Sequence, residues 1–154
     1  MNNRRRNDGI DPVTRSRARK RALQAMYAWG MSGGSAREVI AQFAHEQARE
    51  LADLAYFEDL VNGVIEHRRE LDAGLAPYLD RDIAQVDAVE LAALRIAAYE
   101  LVHRLDVPYR VVINEAIEGV KRFGAEHGHT YVNGVLDRAA AQWRQPEVEA
   151  ARRR

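Results

Sequence analysis

Arg15, Arg17, Arg19 and Lys20 crowd the start of what the spacing predicts as the first helix. Cations there oppose the helix macrodipole, at a few tenths of a kcal/mol each, so something other than helix stability accounts for them. The apolar stripe Leu23, Met26, Gly30, extended back by one turn, lands on Arg19 and by another on Ser16, which makes the inward face of the first turns polar. These turns are therefore expected to project beyond the core and present Arg15, Arg17, Arg19 and Lys20 to an anionic partner, nucleic-acid phosphate being the natural one. The competing reading of the same cluster is a solvated, frayed terminus.

A second feature is the polar stretch from Gly124 to Thr130, bounded by Phe123 and Tyr131. Aromatic side chains beside a loop can stack on unpaired bases. The plainer reading makes Phe123 the last core residue of its helix and Tyr131 a half-buried anchor. Two Glu-x-x-His pairs, Glu100/His103 and Glu126/His129, have the spacing that helical di-iron proteins use. The second pair straddles Gly128, ordinary surface pairing accounts for Glu100, and no further inward glutamates stand out, so no metal site is expected. Gly119 and Gly124 match a phosphate loop only by glycine spacing, since Ala125-Glu126 replaces the required Lys-Ser/Thr. With no cysteine and no G-x-G-x-x-G, the sequence offers no thiol nucleophile and no dinucleotide fingerprint; no enzyme activity and no cofactor are expected.

The elements that must hold these residues are helical. The 154 residues are rich in alanine, 47% apolar and carry only four prolines, which favours an all-α domain of six to seven helices with short loops. A first helix is predicted over 13–30, with Leu23, Met26, Tyr27 and Gly30 on its inner face, stopped by Ser32-Gly33-Gly34. Ser35-Ala36-Arg37-Glu38 reads as a capping box for a second helix running to about 48. Phe57, Leu60, Val61, Val64, Ile65 and Leu71 line one long third helix ending near Gly74, with a short turn at Pro77. Asp87 caps a helix whose stripe is Leu91, Leu94, Ala98, Leu101, Leu105, the clearest core pattern in the chain. Asp106-Val107-Pro108 opens the next, which Gly124 stops, and Val132, Val135, Leu136, Ala139 and Trp143 line the last. The domain is expected over 13–144, with subdomains about 13–80 and 81–144, and mobile tails over 1–12 and 145–154. Zero formal net charge conceals an asymmetry: residues 1–21 hold eight basic and two acidic side chains, while the middle of the chain is acidic. Nothing approaches a membrane span or a signal peptide, and a cytoplasmic protein is expected.

Several blocks are recognisable. Val107-Pro-Tyr-Arg-Val-Val-Ile-Asn-Glu-Ala-Ile-Glu118, Lys121-Arg-Phe-Gly-Ala-Glu126 and Tyr131-Val-Asn-Gly-Val-Leu-Asp137 closely resemble the family of the bacterial transcription antitermination factor NusB. Ala22 to Trp29, Tyr56 to Val64 and Leu94 to Leu101 agree, so the resemblance runs in order over roughly 15–143. It implies two small antiparallel helical bundles, no catalysis, and binding of the boxA element of nascent ribosomal RNA together with NusE, within a complex of other Nus factors on RNA polymerase. Carried over by position, the implied RNA-facing residues are Arg15, Arg17, Arg19, Tyr27, Phe123, His127 and Tyr131, with Lys20 joining from the basic cluster; Glu90 is the implied NusE contact. Ser16 replaces a frequent arginine of the family and His127 a frequent acid. Asn114, Glu115 and Asn133-Gly134 read as structural, and Arg95 as the partner of a carboxylate across the bundle. Alternatives are a homodimeric storage form that covers the RNA surface, or a general ribosomal-RNA-binding helical module without antitermination activity. A related module precedes the catalytic domain of some ribosomal RNA cytosine methyltransferases, for which this chain is too short.

Overall fold

The computed structural model describes residues 11–47 and 53–154, and every regular element among them is helical. Eight α-helices run in order: α1 (Pro12–Ser32), α2 (Ala36–Gln47), α3 (Leu54–Glu66), α4 (Arg68–Leu75), α5 (Ala88–His103), α6 (Tyr109–Phe123), α7 (Gly128–Trp143) and α8 (Gln145–Arg152). Short 3-10 turns at Ala76–Tyr78 and Ile83–Gln85 link α4 to α5.

Most boundaries follow from local chemistry. Asp11 accepts a hydrogen bond from the Val13 amide at 2.9 Å and Pro12 occupies the first turn of α1. Gly33, at φ 73°, closes α1 by donating to the Trp29 carbonyl. Ser35 accepts from the Glu38 amide at 3.1 Å, and its hydroxyl donates to the Glu38 carboxylate. Asp87 accepts from both Val89 and Glu90 at the head of α5. Helices α1, α2 and α3 pack on one another, as do α5, α6 and α7. Helix α5 joins the two sets by also packing on α1, α3 and α4, and is buried on nearly every side.

The count exceeds the expected six to seven for two reasons. The predicted long third helix breaks at His67, whose backbone (φ −101°, ψ 16°) leaves the helical region although no Gly or Pro marks the spot. In addition, 145–152 forms α8 where a mobile tail is expected: Pro146 lies in its first turn, where proline starts a helix as readily as it ends one, and Val148 is buried. Arg144, 5% exposed, ties α8 down by donating to the carbonyls of Leu101, Glu100 and Arg104 at the end of α5 and pairing with Glu147 at 2.7 Å. Glu147 in turn accepts from the Tyr109 amide, the missing cap of α6. Of the expected N-terminal tail, residues 1–10 lie outside the described residues, as does residue 48, the expected end of the second helix. Leu105 is no core residue; α5 ends two residues earlier and Leu105 is 69% exposed.

Candidate nucleic-acid interface

Helix α1 has two faces of opposite use. At about 100° per residue, Arg17, Lys20, Gln24, Tyr27 and Met31 fall within about 80° of one another, while Arg15 and Arg19 lie about 160–200° from Arg17. Arg17, Tyr27 and Met31 are exposed, and Lys20 and Gln24 half-buried. Arg15 and Arg19 turn inward. The first turns of α1 thus do not project past the core, contrary to expectation, because neighbouring helices supply carboxylates for the inner arginines.

Arg19 is 7% exposed and forks onto Glu100 of α5, itself 1% exposed, with three N–H···O contacts of 2.9–3.0 Å. Glu115 of α6 lies 3.7 Å from the same guanidinium and accepts from the Ser16 hydroxyl at 3.0 Å. The Tyr56 hydroxyl donates to Glu100 as well. Burial works against the Arg19 charge, but the hydrogen bonds and charge of Glu100 raise its pKa above the ordinary arginine value. Burial, then the Glu100 charge, pushes the Tyr56 hydroxyl far above the usual phenol range. Arg15 stacks over the Tyr56 ring at 4.1 Å, 3.7 Å from Asp53 and 3.6 Å from Asp106. Arg104 covers the same ring at 4.9 Å and pairs with Asp59 and Asp106. Hydrogen bonds from Arg104 hold Asp106 at about 2. Arg15 and Arg19 are therefore not presented outward as expected; both pair with carboxylates of neighbouring segments in the scaffold that fixes α1.

The outer face leads into a groove lined by Leu23, Gln24 and Tyr27 of α1, Val89 of α5 and Phe123 of α6. Tyr27 is 40% exposed there, and Phe123 is half-buried with the Arg122 guanidinium 5.5 Å above its ring. Lys121 and Arg122 supply positive charge at the end of α6. Lys20, Tyr27 and Phe123, distant in sequence, are thus brought to one side of the molecule with Arg17. His127, at the loop before α7, has a left-handed backbone (φ 74°) and an 84% exposed side chain, 3.7 Å from Glu126.

Tyr131 and Glu90 sit differently. Tyr131 is half-buried under Arg81, 4.7 Å from its ring, and does not line the groove; burial, with the charge of nearby Asp80, raises its hydroxyl pKa. Glu90 is 8% exposed, with its carboxylate packed on Gly128 so closely that a Cβ there would come within 2.7 Å. Desolvation, reinforced by Asp87 and opposed by Arg81, raises its pKa. Glu90 offers a partner only an edge; its main contact is with the first residue of α7.

Arg95 pairs with Asp72 of α4 through two 2.9 Å hydrogen bonds, as expected. Asn133 is exposed and Gly134 has open space where a Cβ would stand, so neither lies at the expected helix crossing. Glu100 is no surface carboxylate, and its side chain engages Arg19 and Tyr56 instead of joining His103. Sequence reasoning also missed Arg144. The available signal was an ionisable residue beside a helix without a polar face, for which a buried partner is obligatory.

Among the described residues the fold is all-α, with a basic, aromatic-edged face on α1, and this fold defines the class to which its relatives belong. The model of the NusB family matches residues 16–141. Over 146 residues the chain is 72% identical to the transcription antitermination protein NusB of Xanthomonas axonopodis pv. citri (strain 306), covering 95% of this chain and 92% of that one. Among solved structures, it is similar to T. maritima NusB (TM-score 0.70, 31% identity, 83% of this chain and 91% of that one). It is also similar to a chain in a structure of the antitermination factors NusB and NusE in complex with dsRNA (TM-score 0.76, 26% identity, 82% and 96%). The chain belongs to the NusB family.

Proposed function

We propose that this protein is a transcription antitermination factor that binds the boxA element of nascent ribosomal RNA together with NusE and helps RNA polymerase read through terminators in ribosomal RNA operons. It is a binding protein and not an enzyme. The observation that carries the RNA assignment is the stripe from Arg17 through Lys20 and Gln24 to Tyr27, ending in a groove shared with Phe123. Arg17, Lys20, Lys121 and Arg122 are suited to phosphates, and the two rings to stacking on unpaired bases. His127, 84% exposed in the loop before α7, adds a further donor. Arg15 and Arg19 act from beneath, holding the stripe straight. A relative solved with NusE and RNA supports both partners.

Glu90, carried as the NusE contact, acts in this reading through position: it holds the start of α7 while its exposed neighbours Asp87 and Arg81 meet the partner. A cytoplasmic site of action follows from work on nascent transcripts. The test is transcription in vitro through a terminator downstream of boxA, with RNA polymerase, NusE and the other Nus factors present. Adding this protein is expected to raise read-through on the boxA template and not on one with boxA scrambled. Equal read-through on both templates overturns the assignment.

A further inference from the structure

We propose that His67, Glu70 and His103 form a binding site for a zinc-type divalent transition-metal ion. The three come from different elements: His67 is the residue at the α3–α4 break, Glu70 lies in the first turn of α4, and His103 ends α5. One Glu70 oxygen is 3.0 Å from His103 Nε2 and the other 3.5 Å from His67 Nδ1, and a donor atom from each residue lies within 4.8 Å of the other two. A tetrahedral ion with bonds of about 2.0 Å has donor-to-donor edges of about 3.3 Å, so the edge between His103 Nε2 and its Glu70 oxygen is already near that length. The two imidazoles stack at 4.3 Å and 24°, and must turn out of that stack for a nitrogen of each to point at one ion. Both rings have solvent on one side, with side-chain exposures of 33% and 29%, and can make that swing.

The site has a wall. Tyr99 stacks behind both imidazoles at 6.2 and 5.3 Å, is fixed by its hydroxyl donating to Asp59 at 2.8 Å, and lies directly on Gly63, where a Cβ would run into its ring. Two imidazoles and one carboxylate suit zinc, nickel or copper and not magnesium or calcium, and three protein ligands leave a coordination position open to solvent. An ion held there would join the α3–α4 break to the end of α5. His103 is fourteen residues along α5 from Val89 in the aromatic groove, about 21 Å away. Ion binding is therefore separable from RNA binding.

The probe is Zn²⁺ itself, titrated calorimetrically into the purified full chain, with Mg²⁺ as a parallel arm. One Zn²⁺ per chain with no Mg²⁺ binding is expected, together with a rise in Tm of about 5 °C at a hundredfold excess over Kd. H103A and E70Q, both at partly exposed positions, should each weaken Zn²⁺ binding about tenfold or more while keeping the helical circular-dichroism spectrum. A double variant H127A/H129A, which removes the other closely spaced histidine pair, should bind as the parent does. Absence of saturable Zn²⁺ binding overturns the proposal, and so does binding that survives H103A and E70Q or is lost in H127A/H129A; the three side chains are then simply an aromatic stack with a hydrogen-bonded carboxylate.

Discussion

Arg17 and Arg19 lie two residues apart and about 200° around α1, so one meets solvent while the other meets a carboxylate that is 1% exposed. Removing one partner of a buried pair leaves the other charge uncompensated, at about 3–5 kcal/mol. Arg19→Ala is therefore expected to lower the urea midpoint sharply, whereas Arg17→Ala should leave it within error. In RNA binding the pair should behave the other way: Arg17→Ala lowers the slope of log K against log salt by about 0.7, the loss of one single-strand phosphate contact. If Arg17→Ala keeps the parental slope, the outer face of α1 is not the phosphate face. Glu90 gives a second test. Its pKa is raised, so the folded chain binds that proton more tightly than the unfolded chain. The stability it contributes is complete below the ordinary glutamate value of 4.5 and is lost as pH rises through its folded value. Urea unfolding of Glu90→Gln at a series of pH values should show higher stability at pH 7 and a shallower decline above pH 4.5; the parental profile would show that burial does not penalise this carboxylate.

At the scale of elements, two helical glycines separate packing from propensity. Alanine improves a helix interior over glycine by about 1 kcal/mol, while overpacking costs about 1–3 kcal/mol. A Cβ at Gly63 would run into the Tyr99 ring held between α3 and α5, so Gly63→Ala should lower Tm by a few degrees. Gly134 of α7 has open space, and Gly134→Ala should raise Tm by about 2–4 °C. The same Tm shift at both positions would show that the α3–α5 approach is looser than described. How much of this was legible in the sequence differs by element. The end of α1, the heads of α2 and α5 and the end of α6 were, because Gly33, Ser35, Asp87 and Gly124 act through bonds to residues within four positions. The break at His67 was not: no local breaker marks it, and the residues stacked there, Tyr99 and His103, belong to another helix. Helix α8 was missed for a like reason, since Arg144 is anchored by carbonyls forty or more positions away along the chain.

For the molecule as a whole, the charge asymmetry of the sequence resolves into two parts. Among the described basic residues near the start of the chain, Arg15 and Arg19 pair with Asp53, Asp106, Glu100 and Glu115, while Arg17 and Lys20 lie on the outer face of α1. Periodicity put Arg19 on the inward face, but its neutralisation there was illegible, because it depended on where α5 and α6 place their acids. A basic start of α1 and an aromatic side chain at the end of α6 were legible as features of the sequence, whereas the exposure of Tyr27 was not. No helix among the described residues is long and apolar enough to cross a membrane. The most direct measurement is fluorescence anisotropy of labelled boxA RNA and a scrambled control, with and without NusE, for the parent and Tyr27→Ala. The account expects boxA to bind more tightly than the control, NusE to strengthen that binding, and Tyr27→Ala to weaken it by about 1–3 kcal/mol with the fold intact. Equal, steeply salt-dependent binding to both RNAs, unaltered by Tyr27→Ala, would contradict it.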